Sequence, residues 1–226
     1  MTSLVLLGDR NPAVVTHRAL DELAARLAPE VELRWLGTAA AAGVDLDRVG
    51  GVWVVPGTPY ADEHAVLAIL RDRRERGLPT LGTCGGFQHM VLEFARNAAG
   101  FADAAHQETD PDAAEPVVAA LECRLVGEVR EVTCVPGTRM ASICGVEPFP
   151  GFHFCGYGVS PARQRDLEAA GLVLSAYAPD AGVEGIELTD HPFYVGTLFQ
   201  PQMTVLDGGA VHPLVAAFVV AASTAG

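Results

Sequence analysis

Residues 81–88 read LGTCGGFQ, between a short apolar run at 78–83 and a segment with helical spacing at 87–97. The Gly-x-Cys-x-Gly pattern at Cys84 is the thiol version of a strand–turn–helix motif that exposes a nucleophile at a sharp bend. Glycines fit beside such a residue because the bend is tight and its backbone is strained. The helix that follows supplies N–H donors for an oxyanion. The stretch predicts a nucleophile elbow; the alternative is a glycine-rich turn around a buried, unreactive cysteine.

Strands and helices alternate on both sides of this turn. Apolar runs predict strands at 4–7, 31–36, 51–55 and 78–83. Helical spacing predicts a helix that Asn11 caps, Pro12 begins and Pro29 ends, and further helices at 63–76 and 87–97. Alternation of this kind is typical of an α/β fold with a parallel sheet and helices on both faces.

The pattern changes after residue 97. An acidic, alanine-rich stretch at 101–116 predicts a mobile loop. Later segments predict strands at 117–121, 128–134, 183–188 and 193–199, and helices at 160–170 and 211–223. Because no linker or internal repeat interrupts the chain, residues 1–226 are predicted to form a single domain.

Composition excludes several classes of function. The chain has 15 basic and 28 acidic residues, a formal charge of −13 that would repel a phosphate backbone, so no nucleic acid is expected. No run approaches the roughly 18 apolar residues of a membrane span, and the N-terminus lacks a signal-peptide pattern. Five cysteines without a CxxC pair argue against a zinc ribbon. We expect a cytosolic protein with reduced thiols, no metal and no cofactor, and a small polar substrate or a protein partner.

Several separated motifs resemble class I glutamine amidotransferases, and specifically the glutaminase domain of CTP synthase. They are PG at 56–57, the elbow with its continuation HMVLEFARN at 89–97, VEGIEL at 183–188, HPFYVG at 191–196, FQPQ at 199–202 and HPL at 212–214. Their order is that of the family, and they cover nearly the whole chain. The resemblance implies a class I glutamine amidotransferase-like (flavodoxin-like) three-layer sandwich with a central, mostly parallel sheet. It also implies an amide or amino-acid-like substrate, and substrate-binding roles for Gly57, Thr58, Gly85, Gln88 and Glu108.

The chain departs from the family at the partners of the cysteine. In the family, a His and a Glu in a Phe-His-Pro-Glu segment serve the nucleophile, whereas this sequence has Gln200 and Gln202. An amide has no useful basicity near neutral pH, so Gln200 cannot accept the thiol proton. The segment GFHFCGYGVS at 151–160 lacks the family's arginines, one of which holds the carboxylate of glutamine. Pro59 offers no N–H where the family has further oxyanion-loop glycines. These departures argue against ordinary glutaminase activity.

Two residues of that segment are candidate replacements. His153 is a candidate proton acceptor for Cys84, and Cys155 is a candidate second thiol; the alternative is that both only pack. A metal held by Cys84, Cys155 and His153 lacks a closely spaced ligand pair, so no metal site is predicted. Three other histidines are expected to be structural or to point away from Cys84: His89, His191 and His212.

Three hypotheses of function remain open. The first is an enzyme in which Cys84 attacks an amide or a related carbon–nitrogen bond and forms a thioester. The second is an inactive homologue that binds a small molecule or a partner protein, and the third is thiol redox chemistry between Cys84 and Cys155. CTP synthesis by this chain alone is not expected, because no phosphate-binding Gly-x-x-x-x-Gly-Lys loop occurs. A homodimer and a separate synthase subunit are left open as partners.

Overall fold

A computed structural model describes residues 2–28, 30–206 and 208–224. Its nine strands are β1 (Thr2–Leu7), β2 (Val31–Leu36), β3 (Gly51–Val54), β4 (Thr80–Thr83), β5 (Val118–Cys134), β6 (Phe149–Val159), β7 (Val173–Ala178), β8 (Gly182–Glu187) and β9 (Tyr194–Thr197). Its six α-helices are α1 (Val15–Leu27), α2 (Glu63–Glu75), α3 (Gly85–Asn97), α4 (Arg139–Cys144), α5 (Gln164–Ala169) and α6 (Pro213–Thr224). Short 3-10 turns lie at Thr38–Ala40, Pro161–Arg163 and Pro201–Val205.

One sheet contains all nine strands, in the order β2-β1-β3-β4-β9-β8-β7-β5-β6. Pairings from β2 to β9 are parallel, and those from β9 to β6 are antiparallel. The predicted α/β fold is confirmed, with a sheet that is evenly mixed rather than mostly parallel. The links from β7 to β8 and from β8 to β9 are too short for a helical crossover, so these strands reverse direction.

Two hydrophobic cores cover the two faces of the sheet. In β1, Val5 and Leu7 pack into the core that includes α2, α3 and α5, whereas Leu4 and Leu6 pack into the core that includes α1, α4 and α6. Successive side chains of a strand point to opposite faces, and a strand buried on both faces is apolar throughout. The three layers inferred from the resemblance are therefore present. No helix within the described ranges has the length and apolarity needed to cross a bilayer.

The first helix begins later than predicted. Helix α1 starts at Val15 with Val14 as its N-cap residue, rather than at Pro12 with Asn11 as the cap. The Asn11 side chain instead accepts a hydrogen bond from the Ala13 N–H at 3.0 Å, in the turn before the helix. The helix ends at Leu27, and Pro29, predicted to end it, lies outside the described residues.

The region after residue 116 differs most from prediction. β5 is one strand of 17 residues with two register irregularities, where two shorter strands were predicted. Its partner β6, and also β7 and α4, are not among the predicted elements. Much of β5 is exposed, so its sequence shows little of the apolar periodicity on which a prediction depends.

Helix α3 approaches the sheet closely at its first turn. A Cβ on Gly86 would overlap the backbone carbonyl oxygen of Val54 in β3. Backbone atoms cannot move aside as a flexible side chain can, so this position requires glycine.

We predict that Gly86→Ala lowers the free energy of unfolding by about 3 kcal/mol, because the new methyl group pushes α3 away from β3. Gly37→Ala is the control, since the nearest atom to a Cβ there lies 3.7 Å away, an ordinary contact. Urea denaturation of both variants measures the difference. Equal stabilities for the two variants would show that α3 can move without cost.

Candidate active site

Cys84 lies at the junction of β4 and α3 with φ 52° and ψ −109°. It is the only non-glycine residue with positive φ in the described part of the chain. Such a backbone persists only where its surroundings hold it. The Cys84 N–H donates to the Thr197 carbonyl of β9 at 2.8 Å, and the Cys84 carbonyl accepts from the Gln88 N–H at 3.0 Å. The bent strand-to-helix geometry predicted from the motif is therefore present.

A cavity of about 340 Å³ lies beside this residue. Its lining includes seven of the predicted site residues: Gly57, Thr58, Cys84, Gln88, Glu108, Cys155 and Gln200. Gly85 lies next to it, where a Cβ would come within 2.5 Å of Thr58 Cγ2. The cavity thus brings together residues from separate parts of the sequence. Two predicted residues, His153 and Gln202, do not line it.

The sulfur of Cys84 has two neighbours on β6. Its thiol donates to the backbone carbonyl of Phe154 at 3.5 Å. Cys155, the next residue along β6, lines the same cavity. A hydrogen bond with Cys84, followed by burial, raises the pKa of Cys155 above the ordinary value of a thiol, so Cys155 is a neutral thiol.

Two buried amide side chains, Gln200 and Gln202, pair with each other beside the cavity. Gln200 and Gln202 are 2% and 0% exposed, and Gln202 Nε2 donates to Gln200 Oε1 at 3.0 Å. Gln200 Nε2 and Gln202 Oε1 have no hydrogen-bond partner among the described residues. Gln200 lines the same cavity as Cys84, and its side chain offers an amide there and no group that can hold a proton.

His153 is paired with a carboxylate rather than with Cys84. It is fully buried, and its Nε2 lies 2.7 Å from Glu184 Oε1. The other carboxylate oxygen of Glu184 accepts the Phe199 N–H at 3.0 Å. His153 thus supports the segment that carries Gln200, and no hydrogen bond in the described structure joins it to the thiol. Glu184 lies within the VEGIEL motif at 183–188, but no pattern in the sequence indicates its role.

The buried histidine His106 binds two polar residues that line the cavity, Gln88 and Glu108. Gln88 Nε2 donates to the Tyr157 carbonyl at 2.7 Å, and Gln88 Oε1 lies 3.1 Å from His106 Nε2. His106 Nδ1 accepts the Glu108 N–H at 3.1 Å, so its Nε2 carries the proton that Gln88 accepts. Burial lowers the pKa of His106 to about 3. Glu108 Oε2 is buried without a hydrogen-bond partner among the described residues.

The loop at Gly57 depends on another histidine that sequence reasoning missed. His17 on α1 donates from Nε2 to the Pro56 carbonyl at 2.7 Å, because its Nδ1 accepts the Asn11 N–H at 2.9 Å. Gly57 has φ 121°, and a Cβ there would lie 3.2 Å from His17 Nε2. No sequence signal marks His17, because the Pro56 carbonyl that it binds belongs to the loop after β3, 39 positions along the chain.

Three further histidines, His89, His191 and His212, do not line the cavity. His89 Nδ1 lies 2.8 Å from the Gly85 carbonyl, and its Nε2 lies 3.0 Å from Glu63 Oε1. His191 and His212 accept backbone N–H groups two residues further on. Within the described residues, no three His, Cys, Asp or Glu side chains form a group that could hold a metal ion.

Comparison with known families and curated proteins gives consistent matches. The family model described as Peptidase C26 matches residues 59–202. CTP synthase of Leifsonia xyli subsp. xyli is 35% identical over 213 residues, which cover 85% of this chain and 38% of that protein. CTP synthase of Archaeoglobus fulgidus is 36% identical over 187 residues, 76% of this chain and 35% of that protein. The chain therefore spans less than half the length of these relatives.

Solved structures share the fold. The glutaminase domain of Trypanosoma brucei CTPS, solved with bound acivicin, superimposes with a TM-score of 0.85 at 22% identity and covers 100% of this chain and 95% of that one. A glutamine amidotransferase from Thermotoga maritima has a TM-score of 0.60 at 12% identity, covering 89% of this chain and 77% of that one. These likenesses establish the class I glutamine amidotransferase-like fold.

We predict that His106 makes stability fall as the pH falls below about 6.5. The unfolded chain takes up a proton near the ordinary histidine pKa, whereas burial holds the folded pKa at about 3, so the unfolded state gains protons first. Between the unfolded and the folded pKa, the free energy of unfolding falls by up to about 1.4 kcal/mol per pH unit. Urea unfolding at pH 7 and pH 5 should show a smaller loss for His106→Asn than for the unmodified chain. A replacement of the exposed His64 by Asn is the control, and equal losses in all three proteins would contradict the prediction.

Proposed function

Because this chain belongs to the Peptidase C26 family, we propose that residues 1–226 form a single amidotransferase-type domain in which Cys84 is the nucleophile toward an amide. One observation carries the proposal: a cysteine with strained backbone lines a cavity of about 340 Å³ at a helix N-terminus. A helix N-terminus and oxyanion donors favour thiolate attack on a carbonyl. A buried structural cysteine would need none of these features.

The reaction that follows is acyl transfer to sulfur. The thiolate of Cys84 attacks the carbonyl carbon, and the electron pair moves to the oxygen, which the N–H groups of Gly57 and Gly85 would hold. When the tetrahedral intermediate collapses, the carbon–nitrogen bond breaks and ammonia leaves with the former thiol proton. Water then hydrolyses the thioester and restores the thiol. These reaction steps need no metal or cofactor.

The weak point of the site is proton transfer. Gln200 cannot carry the proton from sulfur to nitrogen, and His153 is bound to Glu184. Loss of a general base costs on the order of 10²–10⁴-fold in rate. We therefore propose slow turnover, with water in the cavity as the carrier. A non-catalytic binding role is the alternative, and the paired change to Gln200 and Gln202 favours it.

Ammonia released here would need an acceptor outside residues 1–226. The relatives named CTP synthase are more than twice as long as the part that this chain matches. A synthase domain or a separate synthase subunit is therefore proposed as the partner. The homodimer that the sequence leaves open stays a prediction.

We predict that 6-diazo-5-oxo-norleucine, a γ-carbonyl electrophile, labels Cys84. The adduct forms only if a thiolate and an adjoining amino-acid-sized cavity are both present. Peptide mass spectrometry of the native chain locates the label. Cys84→Ala should abolish the adduct, whereas Cys123→Ala should not, because Cys123 is an exposed thiol outside the cavity. Folded protein that stays unlabelled at Cys84 would exclude the proposed nucleophile.

Restoring a base should restore the rate. In the double variant Gln200→His with Gln202→Glu, the imidazole faces Cys84 and the carboxylate lies within reach of it, since the two side chains already bond each other. We expect ammonia release from L-glutamine to rise at least about 100-fold over the unmodified chain. Gln202→Glu alone is the control and should give no gain. A correctly folded double variant without any gain would contradict the proposed arrangement.

The presence of two thiols, Cys84 and Cys155, in the lining of one cavity supports a second candidate function, redox chemistry. A peroxide could oxidise Cys84 and Cys155 to a disulfide, each thiol losing one hydrogen while the peroxide is reduced to water. The raised pKa of Cys155 makes Cys84 the thiol that reacts first.

We predict that substoichiometric hydrogen peroxide yields one disulfide that non-reducing peptide mapping assigns to Cys84 and Cys155. In the Cys155→Ser variant, oxidation should stop at the sulfenic acid of Cys84, which dimedone traps. Thiols that remain free after this treatment would remove the redox candidate and leave the amide chemistry untouched.

A further inference from the structure

We infer that His89 is a positioning residue for the reaction at Cys84. Paired with Glu63 as an imidazolium, it holds the first residue of α3 and places a positive charge at the N-terminus of that helix. This role rests on the proposed function, since it deepens the account of the same site. The resemblance covers His89 within HMVLEFARN and assigns it no role.

Both ring nitrogens of His89 lie against oxygen atoms. Nδ1 is 2.8 Å from the Gly85 carbonyl oxygen, and Nε2 is 3.0 Å from Glu63 Oε1. A neutral imidazole carries one N–H and would leave one of these contacts without a proton. The hydrogen bond from His89 lowers the pKa of Glu63, so Glu63 is a carboxylate and both protons belong to the ring. His89, only 2% exposed, is therefore a buried imidazolium.

The negative partner of this imidazolium is held on a different helix. Glu63 is the first residue of α2, a position where the helix dipole favours a carboxylate. Asp62, the N-cap residue of α2, accepts the Ala65 N–H at 2.9 Å and fixes this end of the helix. His89 thus bridges the first turns of α2 and α3, and the positive end of the ion pair is the end that contacts Gly85.

Other ionisable side chains also surround the ion pair. The rings of Tyr60 and His106 lie 4.8 and 5.6 Å from the ring of His89, measured between centroids. Burial, and after it the charge of His89, lowers the pKa of His106 to about 3. Arg96, further along α3, adds to the effect of His89 in lowering the pKa of Glu63. The charge of His89 therefore also keeps His106 neutral, as the hydrogen bonds of the cavity lining require.

Helix stability does not explain this arrangement. A positive charge at the first residue of a helix opposes the helix dipole. Burial of an ion pair costs desolvation, and two apolar side chains of similar volume often stabilise a protein as well or better. The same positive charge favours a thiolate on Cys84 and an oxyanion at the Gly85 N–H, because both place negative charge at this helix end. The advantage of the pair thus lies in the reaction.

The test is the pH dependence of Cys84 alkylation by iodoacetamide, since the thiolate is the reactive form. Peptide mass spectrometry follows the Cys84 peptide, and circular dichroism first shows that each variant is folded. His89→Asn offers a neutral donor in place of the charged ring. We expect the midpoint of the profile to rise by about 0.5–1 pH unit, so alkylation below both midpoints slows about 3- to 10-fold. His64→Asn, which removes an exposed histidine beside Glu63, is the control and should leave the midpoint unchanged.

Glu63→Gln tests the same charge from outside the core. The Glu63 side chain is 26% exposed, so this variant folds even if His89→Asn does not. Without the carboxylate, the buried ring loses the group that stabilises its second proton. The midpoint of Cys84 alkylation should therefore rise in this variant too.

An unchanged midpoint in either folded variant, with a reactive Cys84, would keep the nucleophile and overturn the role of His89. Lower stability in urea without a change in the pH profile would do the same, because the pair would then only hold α2 against α3. Failure of the proposed function is seen separately. In that case Cys84 of the unmodified, folded chain resists iodoacetamide at every pH, which excludes the nucleophile and with it the role of His89.

Discussion

The strained backbone of Cys84 is the constraint on which the site depends. Its φ of 52° turns the chain from β4 into α3 within one residue, and the Thr197 carbonyl of β9 holds its N–H at 2.8 Å. That turn is compatible only with small neighbours, since Gly85 lies under Thr58 and Gly86 lies against Val54. The parallel half of the sheet therefore fixes where the sulfur stands, and the antiparallel half supplies the other wall of the cavity.

The chemistry around this sulfur follows from what each neighbour can do with a proton. Gln200 and Gln202 satisfy each other in part and leave one donor and one acceptor unpaired. Cys155 offers a thiol whose pKa is raised, so it stays neutral beside Cys84. His153, on the same strand as Cys155, is committed to Glu184. The surroundings thus favour formation of a covalent adduct more than rapid turnover, in line with the proposed slow enzyme.

The sequence predicted the features whose signals are local. The glycines around Cys84 identified the elbow, and the alternating apolar runs identified the parallel half of the sheet. The sequence could not identify His17, His106 or Glu184, because each acts through a contact with a distant segment. His17 supports Pro56 across 39 positions, and Glu184 reaches His153 across 31. Two short strands were predicted in place of the single long strand β5, because the exposed middle of β5 has no apolar periodicity.

In the proposed reaction, Cys84 carries an acyl group as a thioester. Incubation with L-glutamine followed by a rapid acid quench and peptide mass spectrometry tests this claim directly, since thioesters survive acid and are cleaved by hydroxylamine. We expect a hydroxylamine-sensitive glutamyl adduct on the Cys84 peptide. An adduct on another cysteine, or a Cys84 peptide that stays unmodified at saturating L-glutamine, would contradict it.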